Sequence, residues 1–277
     1  MDGTADGRGT DPVAAGGRLM VASLFDPDPN PAGGQRPEGG EMTLLEHLLE
    51  LRYRVTWMAA AVVIGMMGFL VPNVGFQVIG WLLAPARQSV PDFRPQFIEP
   101  MENIAAFFRV ALLGGVTVAM PVIVYHAMRF VTPALTRQEK QWVFPIVFGA
   151  SLAFLGGVAF GYFLILPFTL TFLLTFGSDV AQADWRIGNY IDFVTRILLV
   201  MGLVFETPLI VMGLARFKVV YWRQLLNWWR YAVILAFVIA AVVTPTIDPV
   251  TQTLVGGPIV VLYFVGIGLA WIVRRKR

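Results

Sequence analysis

The sequence predicts an all-α integral membrane protein with six transmembrane helices. Of its 277 residues, 57% are hydrophobic and only 14% are charged, a balance outside the range of ordinary soluble domains. The apolar residues form six long runs, and lysine and arginine collect on alternate connections between these runs. Because positive residues accumulate in cytoplasmic connections, we predict that both termini are cytoplasmic.

Polar or proline-rich segments separate the six predicted spans. The spans are residues 55–70, 104–128, 142–166, 191–215, 231–243 and 253–273. A membrane-spanning helix needs about 20 residues, so the fifth run is short. We expect the last two spans to be short and the turn 244–251 between them to lie close to the membrane surface.

Residues 1–41 differ in composition from the rest of the chain. They are rich in Gly, Pro and Asp and have no apolar period, which is typical of a disordered segment. We predict a disordered cytoplasmic tail over 1–41 and a six-span membrane domain over 42–277. This domain begins with an amphipathic helix, in which Leu44, Leu48 and Leu51 repeat at helical spacing.

The distribution of lysine and arginine gives the predicted orientation. One set of flanks holds 13 basic residues and the alternate set holds five. The larger set is Arg52, Arg54, Arg129, Arg137, Lys140, Arg216, Lys218, Arg223, Arg230 and 274–277, and the smaller set is Arg87, Arg94, Arg109, Arg186 and Arg196. We expect Arg109 and Arg196 to reach outward or to pair with Glu102 and Asp192.

Glu206 stands out within the apolar runs. It lies inside the fourth predicted span, with Pro208 two positions later. A charge near the middle of a span costs about 2.5–3.5 kcal/mol on insertion scales, so it normally faces protein or water. Pro208 removes a backbone donor and bends the helix at the same level. We predict an intramembrane polar site at Glu206.

The composition limits the other chemistry that is available. The chain has no cysteine, and its two histidines, His47 and His126, are far apart in sequence. We therefore expect neither a thiolate nucleophile nor a metal site, and we predict no cofactor. The formal net charge of +3 is too small to indicate binding of nucleic acid.

Two carboxylates stand among basic residues on the predicted cytoplasmic side. Glu50 precedes Arg52 in the first helix, and Glu139 lies between Arg137 and Lys140 in the first cytoplasmic connection. One interpretation is that they balance neighbouring charges. The other is a site for a cationic ligand, because a carboxylate accepts a guanidinium through two parallel hydrogen bonds.

Four motifs stand out along the chain, namely HLLELRYR (47–54), FVTPALTRQEK (130–140), FETP (205–208) and TPTIDPVTQ (244–252). Together they resemble those of the TatC family, the multispanning receptor subunit of the twin-arginine protein translocase. They occur in the family's order on a six-span background, and the resemblance covers about residues 43–273. Thr136 replaces the aromatic residue that is usual there, and the TPTIDPVTQ turn is one residue longer than the shortest family version.

The resemblance implies a signal-peptide receptor, not an enzyme, with a concave scaffold in the plasma or inner membrane. By this resemblance Glu50 and Glu139 receive the paired arginines of a twin-arginine signal peptide. Arg52 and Phe130 would shape the same patch.

The resemblance also assigns the remaining motif residues and the partners. Glu206 would line the concave face, where it would meet partner helices or the deeper part of the signal peptide. Asp248 and Gln252 belong to the loop motif before the last span. The implied partners are small single-span subunits of the TatA and TatB type, twin-arginine signal peptides, the lipid bilayer and further copies of the chain. Transport of folded proteins would be driven by the proton motive force.

Two other functions fit parts of the sequence. An ion-coupled secondary transporter of a small solute also uses proline-broken helices and an intramembrane carboxylate. Against it, no second carboxylate lies deep in a predicted span and the two halves show no obvious repeat. An intramembrane protease would need Ser151 as nucleophile and His126 as base, but a serine in such a helix more often bonds to its own backbone.

The connection after the fourth span is both aromatic and basic. It contains Trp222, Trp228 and Trp229 together with Arg223 and Arg230. This composition predicts an interfacial aromatic belt, because amphipathic rings prefer the headgroup region of a membrane.

Overall fold

The computed structural model describes residues 44–90, 93–131, 141, 143–176, 185–216, 219–244 and 248–275. Within these residues the protein contains ten α-helices and one π-helical turn. The strand-type pairing in the same residues is a single isolated parallel bridge between Gln96 and Arg186. The all-α prediction is confirmed. The predicted tail 1–41 lies outside the described residues, and its boundary stays a prediction.

The helices follow the predicted apolar runs and the short segments between them. In chain order they are α1 Leu44–Phe69, α2 Pro72–Ser89, α3 Pro100–Val131, α4 Val143–Phe160, α5 Leu166–Thr175, α6 Ile187–Phe205, α7 Thr207–Arg216, α8 Trp222–Asn227, α9 Trp229–Val243 and α10 Pro249–Arg275. Three of these helices, α2, α3 and α10, begin at a proline. Proline suits a first turn because the N–H that it lacks would have no partner within the helix.

The chain divides into two units, residues 1–52 and 53–277. In the first unit the described residues form the first turns of α1. Leu45, Leu48, Leu49 and Leu51 of these turns are exposed, and Leu48 keeps 61% of its surface accessible. The predicted apolar face of this helix is therefore available to a membrane surface.

Four helical segments are long and apolar enough to cross a membrane. They are Pro100–Phe130, Val143–Thr175, Ile187–Arg216 and Pro249–Val273. The pair Leu45–Phe69 and Pro72–Ser89, bent by 89° at the break between them, brings the total to five if it counts as one span. α9 has 15 residues, fewer than the roughly 20 that a bilayer requires. The membrane prediction is confirmed, and the count of six stays a prediction.

The third span is longer than the sequence predicts. A π-helical turn over Gly161–Ile165 joins α4 to α5, and the backbone N–H of Leu166 donates to the Gly161 carbonyl. Pro167 stands in the first turn of α5, directly after this wide turn. A proline clashes with the carbonyl four residues earlier in a regular helix, so the wide turn lets the helix continue to Thr175.

Two tyrosines hold α2 against the bundle. Pro85 lies inside α2 and has no N–H to donate to the carbonyl of Trp81. The hydroxyl of Tyr162, from the π-helical turn, donates to that carbonyl at 2.8 Å. The hydroxyl of Tyr190 on α6 donates to the Leu82 carbonyl at 2.7 Å.

Glycines allow close contact between helices of the second unit. A Cβ added to Gly65 on α1 would lie 2.8 Å from the carbonyl oxygen of Gly115 on α3. Gly157 on α4 meets the backbone of Met201 and Gly202 on α6 just as closely. Larger side chains would push these helices apart. The core contains the fully buried residues Phe154, Leu166, Leu170, Tyr190, Ile191, Ile197 and Met201.

A polar cluster joins the start of α3 to the start of α6. Glu102 accepts a hydrogen bond from the backbone N–H of Gly188 at 3.1 Å. Arg109 donates to the Gly188 carbonyl at 3.1 Å and lies 3.7 Å from Asp192, which also pairs with Arg196 at 2.6 Å. Of the two expected arrangements, the arginines pair with a carboxylate, but both pair with Asp192, while Glu102 accepts from the Gly188 backbone. We call Glu102, Arg109, Gly188, Asp192 and Arg196 the helix-start cluster.

Candidate functional site

Glu206 lies at a one-residue break in the fourth predicted span. α6 ends at Phe205 and α7 begins directly after Glu206. The backbone N–H of Glu206 donates to the Leu203 carbonyl at 3.1 Å, and its own carbonyl accepts from the Ile210 N–H at 2.9 Å. Pro208 stands in the first turn of α7, where its missing N–H prevents one regular helical hydrogen bond. The sequence therefore located this irregularity correctly.

The Glu206 side chain is buried and incompletely satisfied. Only 6% of the residue is exposed, and its Oε1 atom has no hydrogen-bond partner among the described residues. Burial of a polar group without a hydrogen bond is costly, and in a membrane span it is the mark of a functional residue. Among the described residues, Oε1 of this carboxyl group therefore makes no hydrogen bond that would stabilise the fold.

Helices α4 and α10 pack on either side of the break. The rings of Phe160 on α4 and Phe205 on α6 pack with centroids 5.3 Å apart. Gly266 on α10 lies against Pro208, since a Cβ added there would be 3.2 Å from the Pro208 Cα atom. The residue before the break and the proline just after it are therefore both in close contact with another helix.

The chemistry that Glu206 offers is that of a single polar group. Nowhere in the described part of the chain do three or more His, Cys, Asp or Glu side chains group so as to hold a metal ion. A lone buried carboxyl group suits a hydrogen bond or a charge interaction with a polar group on another helix.

Glu50 and Arg52 lie in the first unit, on the first turns of α1. Glu50 is half-buried and Arg52 is exposed. Residues two positions apart leave an α-helix about 200° apart, so these two side chains do not face each other. Glu50 and Arg52 therefore lie on different faces of this helix.

Phe130 and Glu139 belong to the first predicted cytoplasmic connection. Phe130 is half-buried, one residue before the end of α3. Glu139 lies outside the described residues, together with Pro133, Leu135 and Thr136 of the same motif. The pairing of Glu50 with Glu139 around a ligand therefore stays a prediction.

Asp248 and Gln252 connect α9 to α10. The Asp248 Oδ1 atom accepts a hydrogen bond from the backbone N–H of Thr251 at 2.6 Å, which caps the start of α10. The Gln252 side-chain amide donates to the Phe237 carbonyl on α9 at 3.1 Å. Both motif residues have structural contacts in this turn.

Thr251 is a buried polar residue that the sequence analysis did not single out. It is fully buried, and its hydroxyl oxygen has no hydrogen-bond partner within the described chain. A hydroxyl directly between the two motif residues Asp248 and Gln252 was the signal available in the sequence.

Ser151 and His126 do not form a catalytic pair. The Ser151 hydroxyl donates to the Val147 carbonyl of its own helix at 2.8 Å, as predicted. His126 packs edge-to-face on Tyr125 with ring centroids 5.5 Å apart. Among the contacts of the described residues, none joins Ser151 to His126.

Comparison with known proteins places the chain in one family. Residues 46–258 match the family described as Sec-independent protein translocase protein (TatC). The chain is 35% identical over 235 residues to a Sec-independent protein translocase protein TatC of Synechocystis sp., covering 84% of this chain and 89% of that protein. It is 37% identical over 244 residues to the chloroplastic TATC protein of Arabidopsis thaliana, covering 88% and 70%.

The fold agrees with this assignment. A crystal structure of the Twin Arginine Translocase Receptor TatC matches with a TM-score of 0.74 and 33% identity, covering 82% of this chain and 99% of that one. Its helical membrane architecture, the long family match and these relatives together show that the chain belongs to the TatC family of protein translocase components, which are not enzymes.

Proposed function

We propose that this protein binds twin-arginine signal peptides of folded proteins and nucleates the translocation complex around them. The observation that carries the proposal is its similarity, over most of its length, to a solved twin-arginine translocase receptor. The four sequence motifs support the same function, since they occur at the family's positions along the chain.

The proposed arginine site consists of Glu50 and Glu139. The family resemblance adds Phe130 and Arg52 to this patch, although Arg52 leaves α1 on a different face from Glu50. Each carboxylate would accept one arginine of the signal peptide through two parallel hydrogen bonds, a geometry that lysine does not reproduce. The half-buried position of Glu50 supports this role, because partial burial strengthens a charge-assisted hydrogen bond.

Glu206 would contact polar groups on partner helices. The partners would be single-span subunits of the TatA and TatB type and further copies of this chain. Support comes from the buried Oε1 atom of Glu206, which lacks a partner in the described chain. A partner helix with a polar side chain at this depth would supply the missing hydrogen bond.

The proposed location is the plasma or inner membrane, with both termini in the cytoplasm. The unequal distribution of lysine and arginine between alternate connections supports this orientation. Transport would be driven by the proton motive force.

Photocrosslinking of a twin-arginine signal peptide to membranes that contain the full chain tests the proposal. We expect crosslinks to the wild type and their loss in Glu50→Ala and in Glu139→Ala. Loss of a hydrogen bond to a charged group costs about 1.5–3 kcal/mol, so the affinity, and with it the crosslinking yield at low peptide concentration, should fall about tenfold or more. Glu99→Ala is the matched control, since it removes an exposed carboxylate just before α3.

Two outcomes would contradict the proposal. A wild type that is inserted and folded but gives no crosslink would favour the secondary transporter, which liposomes loaded with candidate solutes would then test. A signal peptide with two lysines that binds as tightly as the arginine peptide would exclude the carboxylate clamp.

A further inference from the structure

The short helix α8 packs against α7 and the second half of α10. Its Leu225 side chain is buried in a small apolar cluster with Val211 and Ala215 of α7 and Ile267 and Ala270 of α10. The Tyr263 hydroxyl on α10 donates to the Leu225 carbonyl at 2.6 Å. The connection between α7 and α9 is therefore held in place against these two helices.

The residues that follow Leu225 present aromatic rings outward. Trp228 is 59% exposed and Tyr231 is 73% exposed, and Trp229 between them is also exposed. Indole and phenol rings of a membrane protein collect at the level of the lipid headgroups. The start of α9 therefore belongs at a membrane surface, as the predicted aromatic belt requires.

Two exposed arginines lie over tryptophan rings in the same segment. The Arg223 guanidinium carbon is 5.3 Å from the centroid of the Trp222 ring, and that of Arg230 is 5.8 Å from the Trp229 centroid. A guanidinium that stacks on an indole keeps its N–H edge for an anion such as a phosphate. We call Trp222, Arg223, Trp228, Trp229 and Arg230 the basic collar.

The sequence that contains the basic collar carries charge of one sign. Between residues 207 and 247 the sequence contains no Asp or Glu, and 249–277 contains none either. The basic residues of these two segments are Arg216, Lys218, Arg223, Arg230, Arg274, Arg275, Lys276 and Arg277. The segment that contains the basic collar is therefore cationic and suits an anionic partner.

We propose that the basic collar binds the phosphate groups of anionic phospholipids at the membrane surface. Arg223 and Arg230 would contact the phosphates, while the indole rings would lie among the headgroups and position the guanidinium groups. A lipid fits better than a protein because the exposed tryptophans, together with a sequence segment that has no carboxylates, match the headgroup region. This site goes beyond signal-peptide recognition and acts in the absence of any peptide.

Native mass spectrometry of the full chain, released from vesicles of equal parts phosphatidylglycerol and phosphatidylcholine, tests this site. We expect the wild type to retain phosphatidylglycerol preferentially. The double variant R223Q/R230Q should lose about fivefold of this preference for each arginine removed. The matched control R87Q/R94Q removes two exposed arginines from a different part of the chain and should keep the wild-type preference.

A lysine variant separates loss of charge from damage to the segment. R223K/R230K keeps both charges and should retain phosphatidylglycerol better than R223Q/R230Q does. The proposal is wrong if R223Q/R230Q keeps the wild-type preference, if R87Q/R94Q loses it equally, or if the lysine variant behaves like the glutamine variant. The absence of any preference in the wild type would also overturn it. Neither peptide nor partner subunit is present, so failure here is distinct from failure of the receptor proposal.

Discussion

Asp192 and Glu206 are carboxylates of one helical segment, Ile187–Arg216, but their surroundings differ. Asp192 belongs to the helix-start cluster, where Arg196 lies 2.6 Å away and Arg109 lies 3.7 Å away. Glu206 stands at the break between α6 and α7 with its Oε1 atom buried and without a partner in the described residues. The first carboxylate is satisfied inside the chain, and the second is not.

The difference separates polar groups that the fold satisfies from one that it leaves without a partner among the described residues. In the helix-start cluster, the charged side chains pair with one another and with the Gly188 backbone. The cluster therefore has a structural role as a connection between α3 and α6. At Glu206 the burial of an unpartnered oxygen atom costs free energy of folding, and no hydrogen bond of that atom within the described residues offsets this cost. Such a residue points to a group outside the chain, which the following predictions test.

Gly157→Leu should have the largest effect on folding. The burial of Glu206 depends on tight packing of α4 against α6 near the break, and this substitution disrupts that packing. The new side chain would enter space occupied by the backbone of Met201 and Gly202. Overpacking of this kind costs about 3 kcal/mol or more where backbone must move. We expect little folded protein after detergent extraction, measured by size-exclusion chromatography and thermal unfolding.

Gly156→Leu is the control for this prediction. Apart from its own helix turn, no atom of the described residues lies within 4 Å of a Cβ added at Gly156, so the leucine should be accommodated without displacing a neighbouring helix. Equal yields of folded protein from the two variants would show that the α4–α6 contact is loose, and the burial of Glu206 would lose its explanation.

Substitution of Glu206 should reduce transport without reducing stability. Glu206→Ala removes the polar group, and we expect about a tenfold loss of transport, equivalent to about 1.4 kcal/mol, within the range for one ordinary hydrogen bond. Glu206→Gln keeps the size and hydrogen-bonding capacity of the side chain and should retain much of the activity. Transport of a folded protein carrying a twin-arginine signal peptide measures both.

Thermal unfolding of the same Glu206 variants tests whether the Glu206 carboxyl group is satisfied within the chain. Removal of an unpartnered buried carboxyl group should leave the free energy of unfolding unchanged or raise it. A clear loss of stability in Glu206→Ala would mean that Glu206 is satisfied within the chain, as Asp192 is. Near-normal transport by both variants would remove Glu206 from the candidate site.

Tyr190→Phe should have the smallest effect, and its effect should fall on stability alone. It removes the hydroxyl that donates to the Leu82 carbonyl at 2.7 Å, a net loss of about 0.5–1.5 kcal/mol. Transport by the folded variant should be normal. Tyr231→Phe is the control because that residue is 73% exposed, and it should leave the unfolding temperature unchanged.

The spans could be predicted from the sequence wherever long apolar runs define them. The runs 104–128 and 253–273 lie inside α3 and α10, and the fifth run coincides with the short helix α9. The end of the third span was wrong because Pro167 signals a helix stop. The π-helical turn over Gly161–Ile165 overrides that signal, and local sequence does not reveal such a turn.

The candidate site was predictable in part. Glu206 and Pro208 were conspicuous because a carboxylate and a proline are rare within an apolar run, and the break is found at that position. The contacts of Asp248 and Gln252 were not predictable in detail, since a cap and a bond to the Phe237 carbonyl depend on how α9 and α10 meet. Thr251 was missed because a hydroxyl in a helix normally bonds to its own backbone.

Local composition and motifs were enough to establish the membrane character of the protein, the positions of most of its long apolar helices and the residues that mark its family. The tertiary structure alone decided which polar groups are satisfied. Asp192 meets Arg109 from α3 across more than eighty residues of chain, and Tyr190 reaches a carbonyl of α2 across 108. Partners so distant in sequence come together only through helix packing, so only the packed structure shows that Glu206 differs from Asp192.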